Sequence, residues 1–171
     1  MEQQPYSYQQ PVPSNYAGYQ SDPVSVTLID PVKQELLLKR IHNGGNWFFW
    51  VAGLSLINSV IQHLGGDVSF VLGLAATQII DAGFRMFTGP LGMVVSIFLD
   101  VMVAGLFVFF GVLARHRSYW GFVPGLALYA LDGLLYTFLG SALAVVFHIY
   151  VLICIGAGFL AERELRACER T

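Results

Sequence analysis

Two carboxyl groups and one imidazole, Asp100, Asp132 and His148, stand inside a stretch of chain that is otherwise close to pure hydrocarbon. Carboxylate oxygens and an imidazole nitrogen brought together suit either a proton relay or a divalent cation. Further polar groups recur at helical spacing around them. Ser55, Asn58, Ser59 and Gln62 fall at i, i+3, i+4 and i+7, Tyr129, Asp132 and Tyr136 at i, i+3 and i+7, and Ser96 stands four residues before Asp100. Ser141 and His148 are seven apart, with Ala144 between them. Each set lies on one face of one helix.

Composition says which helices hold these groups. The chain of 171 residues is 56% hydrophobic and 12% charged, with a mean hydropathy of +0.62, where a soluble domain carries about 25% charged residues. From Gly44 to Ala161 the Asp, Lys and Arg residues are Asp67, Asp81, Arg85, Asp100, Arg115, Arg117 and Asp132, with no Glu. A soluble globular domain is excluded. The net charge of −2 and pI near 6.0 also give no basic face for a nucleic acid.

Five apolar runs, 46–64, 68–87, 91–113, 119–139 and 141–161, approach or exceed the roughly 20 residues that cross a hydrocarbon core about 30 Å thick. Charge decides how many cross. If all five do, Lys33, Lys39, Arg40 and Arg85 face Arg115, Arg117, Arg163, Arg166 and Arg170 across the membrane, against the positive-inside tendency. If 68–87 stays on the outer face, eight of the nine basic residues gather inside. The expectation is an all-α membrane protein: four transmembrane helices (46–64, 91–113, 119–139, 141–161) in a bundle, with 68–87 as an interfacial or re-entrant outer helix. Trp47, Trp50 and Trp120 then sit at the inner interface as an aromatic belt. Within 68–87, Ser69, Gly73, Thr77, Asp81 and Arg85 form a small-or-polar stripe opposite Val68, Leu72, Ala75, Ile79 and Phe87.

Outside the 46–161 membrane domain, residues 1–24 hold five Gln, four Tyr and four Pro and read as a disordered cytoplasmic tail. Over 25–45, Asp30 suits an N-cap and Pro31 the first helical position. Val32, Leu36, Leu37 and Ile41 follow at helical spacing until Asn43-Gly44-Gly45 stops the run. This predicts a short amphipathic helix on the membrane surface, its Lys33, Lys39 and Arg40 attracted by anionic head groups. Residues 162–171 read as a second cytoplasmic tail. No cleavable signal pattern precedes the first span, which is expected to act as a signal anchor.

At 1.5 Å of rise per residue, Asp100, Asp132 and His148 share one depth in the outward half. Asn58 and Gln62 stand beside them, with Asp81 and Arg85 above as a secondary outer-face pair. Two uses compete for this cluster. One is interhelical hydrogen bonding, worth about 0.6 kcal/mol per contact. The other is a proton relay, or a metal site with Asp100, Asp132 and His148 as ligands. An intramembrane hydrolase with Ser55 or Ser59 as nucleophile and His148 as base is disfavoured, because Gly53-Leu54-Ser55-Leu56 has neither the GxSxG elbow nor the GxSG of rhomboid proteases. His63 reads as a solvated span end and His116 as part of a basic inner turn that sets topology.

Gly121 and Gly125 carry the Gly-x-x-x-Gly spacing, which serves packing within the chain or a homo-oligomer. Pro124 should loosen the start of its span. Cys154 and Cys168 form no disulfide or zinc pattern. No nucleotide loop, haem-attachment motif or flavin fingerprint is present, so no cofactor is expected. The expected partners are the bilayer and a protein met in the membrane or through the tail.

The stretches Asn46-Trp47-Phe48-Phe49-Trp50-Val51-Ala52-Gly53-Leu54-Ser55-Leu56-Ile57-Asn58-Ser59 and Ala127-Leu128-Tyr129-Ala130-Leu131-Asp132-Gly133-Leu134-Leu135, with His148 later, resemble a group of small uncharacterised bacterial membrane proteins. The resemblance covers residues 44–161 and brings no activity with it. It implies a home in the bacterial cytoplasmic membrane. The combined expectation is a structural or accessory membrane subunit with both termini in the cytoplasm. A transport, proton-relay or metal-binding module built on the Asp/Asp/His cluster is the alternative.

Overall fold

The structure, a computed structural model, describes residues 30–63, 74–85 and 90–170. The side chains of Gln62, His63, Arg85 and Pro90 also fall outside the description. The expectations placed on the 1–24 tail, on Asp67, Ser69 and Gly73, and on the Gln62, His63 and Arg85 side chains therefore lie outside the described residues.

The described residues form five helices: α1 (Pro31–His63), α2 (Ala75–Arg85), α3 (Pro90–Arg115), α4 (Tyr119–Leu139) and α5 (Ala142–Cys168). Three of them, over Leu91–Arg115, Tyr119–Leu139 and Ala142–Cys168, are long and apolar enough to cross a membrane. Their outward faces present large apolar side chains such as Leu91, Phe138, Leu143 and Ile153. Water would make so continuous an apolar surface prohibitive, whereas lipid makes it neutral. This is a helical membrane protein.

Asp30 caps α1 as its residue type suggests, accepting the Val32 N–H at 3.0 Å. The expected stop at Asn43-Gly44-Gly45 is not found. Helix α1 runs unbroken for 33 residues, so the amphipathic segment is its first turns and not a separate element. The reason is tertiary. A Cβ at Gly44 would lie 2.7 Å from the Gly158 Cα of α5, so the two glycines let the α1 and α5 backbones touch. That packing offsets the roughly 1 kcal/mol helix penalty of each glycine. Leu37, Ile41 and Leu165 bury themselves in the same core, and Lys33 pairs with Glu164 at 2.8 Å. The segment expected to be a C-terminal tail is likewise helical as far as Cys168.

The start of α1, the α3–α4 turn and the end of α5 thus meet at one end of the bundle. There Glu162, fully buried, binds Arg117 at 3.1 Å and also Arg166, while Glu169 binds Arg117 at 2.8 Å. Arg117 itself adopts a left-handed backbone (φ 60°) in the turn, and Arg166 donates to its carbonyl. Above this clasp an aromatic core of Phe48, Phe107, Phe110, Phe122 and Tyr129 fills the space between helices.

Gly121 and Gly125 are spent inside the chain. A Cβ at Gly121 would meet the α3 backbone at Ala114, and one at Gly125 would strike the Phe48 ring. Helix α4 runs through Pro124 without a break.

Candidate functional site

Helix α2 is narrower than the 68–87 run. Its 11 residues span about 16 Å, too short for a hydrocarbon core of about 30 Å. It packs chiefly on α3, and also on α4 and α1. Its N-terminal N–H groups, which no helix can satisfy internally, point into the bundle. Two residues, Ser55 of α1 and Asp132 of α4, receive them. The Leu74 N–H donates to Ser55 Oγ at 2.8 Å, the Ala75 N–H to Asp132 Oδ2 at 2.9 Å and the Ala76 N–H to Asp132 Oδ1 at 2.9 Å. Asp132 therefore acts as an N-cap supplied from another helix. A carboxylate there also meets the positive end of the helix dipole.

His148 of α5 completes the arrangement. Gly133 makes room for it, since a Cβ there would lie 3.0 Å from His148 Cβ. Its Nδ1 sits 2.8 Å from the Ala144 carbonyl, which can only accept, so Nδ1 carries a hydrogen. Its Nε2 lies 3.0 Å from Asp132 Oδ2. Imidazole and carboxyl group hold one proton between them in that contact. Tyr129 stacks on the ring at 4.6 Å between centroids and 14° between planes, and Tyr136 lies at 4.9 Å.

The remaining polar groups pair separately. Asp100 accepts from Ser59 Oγ of α1 at 2.7 Å, and Asp81 of α2 accepts from Ser96 of α3. Gln78 of α2 donates to the Tyr136 hydroxyl at 2.8 Å. Asp132 and His148 are thus brought together. Asp100 has its contact on α1, and among the described residues no group of three His, Cys, Asp or Glu side chains could hold a metal ion. Ser55 and Ser59 are bonded to Leu74 and Asp100 respectively, so among the described residues neither forms a nucleophile–base pair with His148. Asn58 is fully buried, and neither its side-chain atoms nor the Tyr129 hydroxyl has a hydrogen-bond partner among the described residues.

Sequence reasoning passed over Glu162 and its two arginines. The Glu162/Arg166 spacing of four on one helix, together with the basic α3–α4 turn, was the available signal. At the same end, hydrogen bonding to Glu169 raises the Arg117 pKa and hydrogen bonding to Glu164 raises that of Lys33. The partner carboxyl groups, Glu169 and Glu164, are correspondingly lowered. No protein-family model matches this chain, and no curated protein or solved structure is significantly similar to it.

Proposed function

We propose that this protein is a structural or accessory subunit of a bacterial cytoplasmic membrane, crossing it four times with both termini inside, in keeping with the group its sequence resembles. The carrying observation is that Asp132 commits both carboxylate oxygens to the backbone of α2. Ser55, Ser96 and Tyr136 add further ties to the same short helix. The costly polar groups of the spans are used to hold a re-entrant element in place, which is an architectural task. Helix α1 supports a fourth crossing because it packs along both α3 and α5. Its polar stripe of Ser55, Asn58 and Ser59 is turned inward, away from lipid.

The shared proton of Asp132 and His148, next to the buried Asn58 and Tyr129 hydroxyl, favours a second reading as a proton-relay module. One experiment separates the two. Asp100→Asn and His148→Gln variants are expressed in place of the native chain, then purified and reconstituted in vesicles with a pH-sensitive dye inside. An accessory subunit keeps its cellular role with both substitutions, and neither native nor variant vesicles leak protons. Proton flux in native vesicles that His148→Gln abolishes while still folded, and that Asp100→Asn leaves in place, would replace the accessory reading with the relay.

A further inference from the structure

At the Arg-rich end of the bundle three basic side chains are neutralised by neighbours: Lys33 by Glu164, Arg117 by Glu162 and Glu169, and Arg166 by Glu162. Arg115 is held differently. It forms no ion pair among the described residues, and its guanidinium lies over the Phe49 ring, 5.9 Å from the centroid. Gly45 allows this position, because a Cβ there would lie 2.9 Å from Arg115 Cγ. The arginine stem thus lies against α1 at Gly45 and Phe49. His42, Phe49, Val112, Arg115 and His116 line a cavity of about 310 Å³ there. None of the five is acidic. His42 commits Nδ1 to the Leu38 carbonyl at 2.8 Å, which leaves Nε2 for a ligand.

The depth of the cavity identifies its occupant. Arg115 is the last residue of a helix apolar enough to span. Trp50 and Trp120 stand exposed near the same end, 64% and 77% accessible, as side chains at the head-group level do. The cleft carries one cation, Arg115, flanked by the His42 and His116 imidazoles as hydrogen-bonding groups, and an apolar wall of Phe49 and Val112. A phosphate joined to acyl chains has that polarity, and basic pockets between spans on the positive side bind such head groups.

We propose that this cleft is a binding site for the phosphate of an anionic phospholipid, with Arg115 as the principal contact and His42 and His116 flanking it. The proposal goes beyond the accessory role and is independent of how α2 is held.

The test is native mass spectrometry of the full chain in neutral detergent, titrated with phosphatidylglycerol, phosphatidylcholine or inorganic phosphate. Phosphatidylglycerol should give a saturable adduct that phosphatidylcholine does not. Arg115→Gln should weaken it about five-fold or more, the factor that about 1 kcal/mol per cation gives. His42→Gln and His116→Gln, at exposed positions where folding is safe, should each weaken it less, and Arg163→Gln, outside the cleft, should not. Equal loss with Arg163→Gln would reduce the site to diffuse surface charge and overturn the proposal. So would equal binding of phosphatidylcholine, or inorganic phosphate displacing the lipid at equal concentration.

Discussion

Replacing Asp132 with alanine removes the receptor for the α2 N-terminus, and the consequence can be worked out from the contacts. Three hydrogen bonds end on this carboxylate, from the Ala75 and Ala76 N–H groups and from His148 Nε2. Only the two backbone bonds tie α2 itself. Side-chain hydrogen bonds between membrane helices average about 0.6 kcal/mol, which puts the pair at about 1.2 kcal/mol. Bonds to a charged group in soluble proteins contribute about 1.5 kcal/mol or more each, which puts it at about 3 kcal/mol. The smaller total already raises the undocked population of α2 about 8-fold. A cysteine at Thr77, fully buried in the native chain, reports this opening when Cys154 and Cys168 are first changed to serine. Its labelling by a maleimide follows the open population when closing is fast. Asp132→Ala should accelerate labelling by at least about 8-fold, Asp132→Asn by less because one oxygen remains, and His148→Gln by the least because its contact is to Asp132 and not to α2. Labelling of Asp132→Ala at the native rate would refute the capping role and with it the proposed task of the polar spans.

Three further outcomes are expected. Glu164 and Glu169 have pKa values below the ordinary 4.5 because of Lys33 and Arg117. Their contribution is present above about pH 4.5 and fades as the pH falls through the lowered values, so amide protection factors in the last turns of α5, exchange rates divided by the intrinsic rate at each pH, should fall in acid and be flat around neutrality. Gly158→Leu should destabilise the protein by about 1 to 3 kcal/mol through overpacking, read as thermal unfolding in detergent, because a Cβ at Gly158 would lie 2.8 Å from the Gly44 Cα. Gly156→Leu, with open space around it, should be close to neutral, and equal effects of the two would disprove the close α1–α5 approach. In the four-span arrangement, cysteines at Asp30 and Ser118 label only from inside and those at His63 and Thr88 only from outside. Labelling of Asp30 and His63 from one side would remove α1 from the spans.

Sequence alone determined the class of this protein and the list of groups that matter. Low charge and long apolar runs mark α3, α4 and α5 as spans because the cost of burying charge in hydrocarbon leaves a one-dimensional trace. Helical periodicity selected Ser55, Asn58, Asp100, Asp132, Tyr129, Tyr136 and His148, all of which are buried, because turning polar groups away from lipid is a local property of each helix. Tertiary structure alone decided the partners. Periodicity fixes a residue's face and its depth to within about a turn, while a hydrogen bond demands a separation near 3 Å, set by how neighbouring helices rotate and slide. So Ser96 and Asp100, four apart on one helix, serve α2 and α1 respectively, and Asp132 closes on a backbone end 57 residues away. The unbroken α1 has the same origin. Asn43-Gly44-Gly45 ends a helix judged by local preference, but Gly158 on α5 turns the missing side chains into a contact between two backbones, and that contact outweighs the preference.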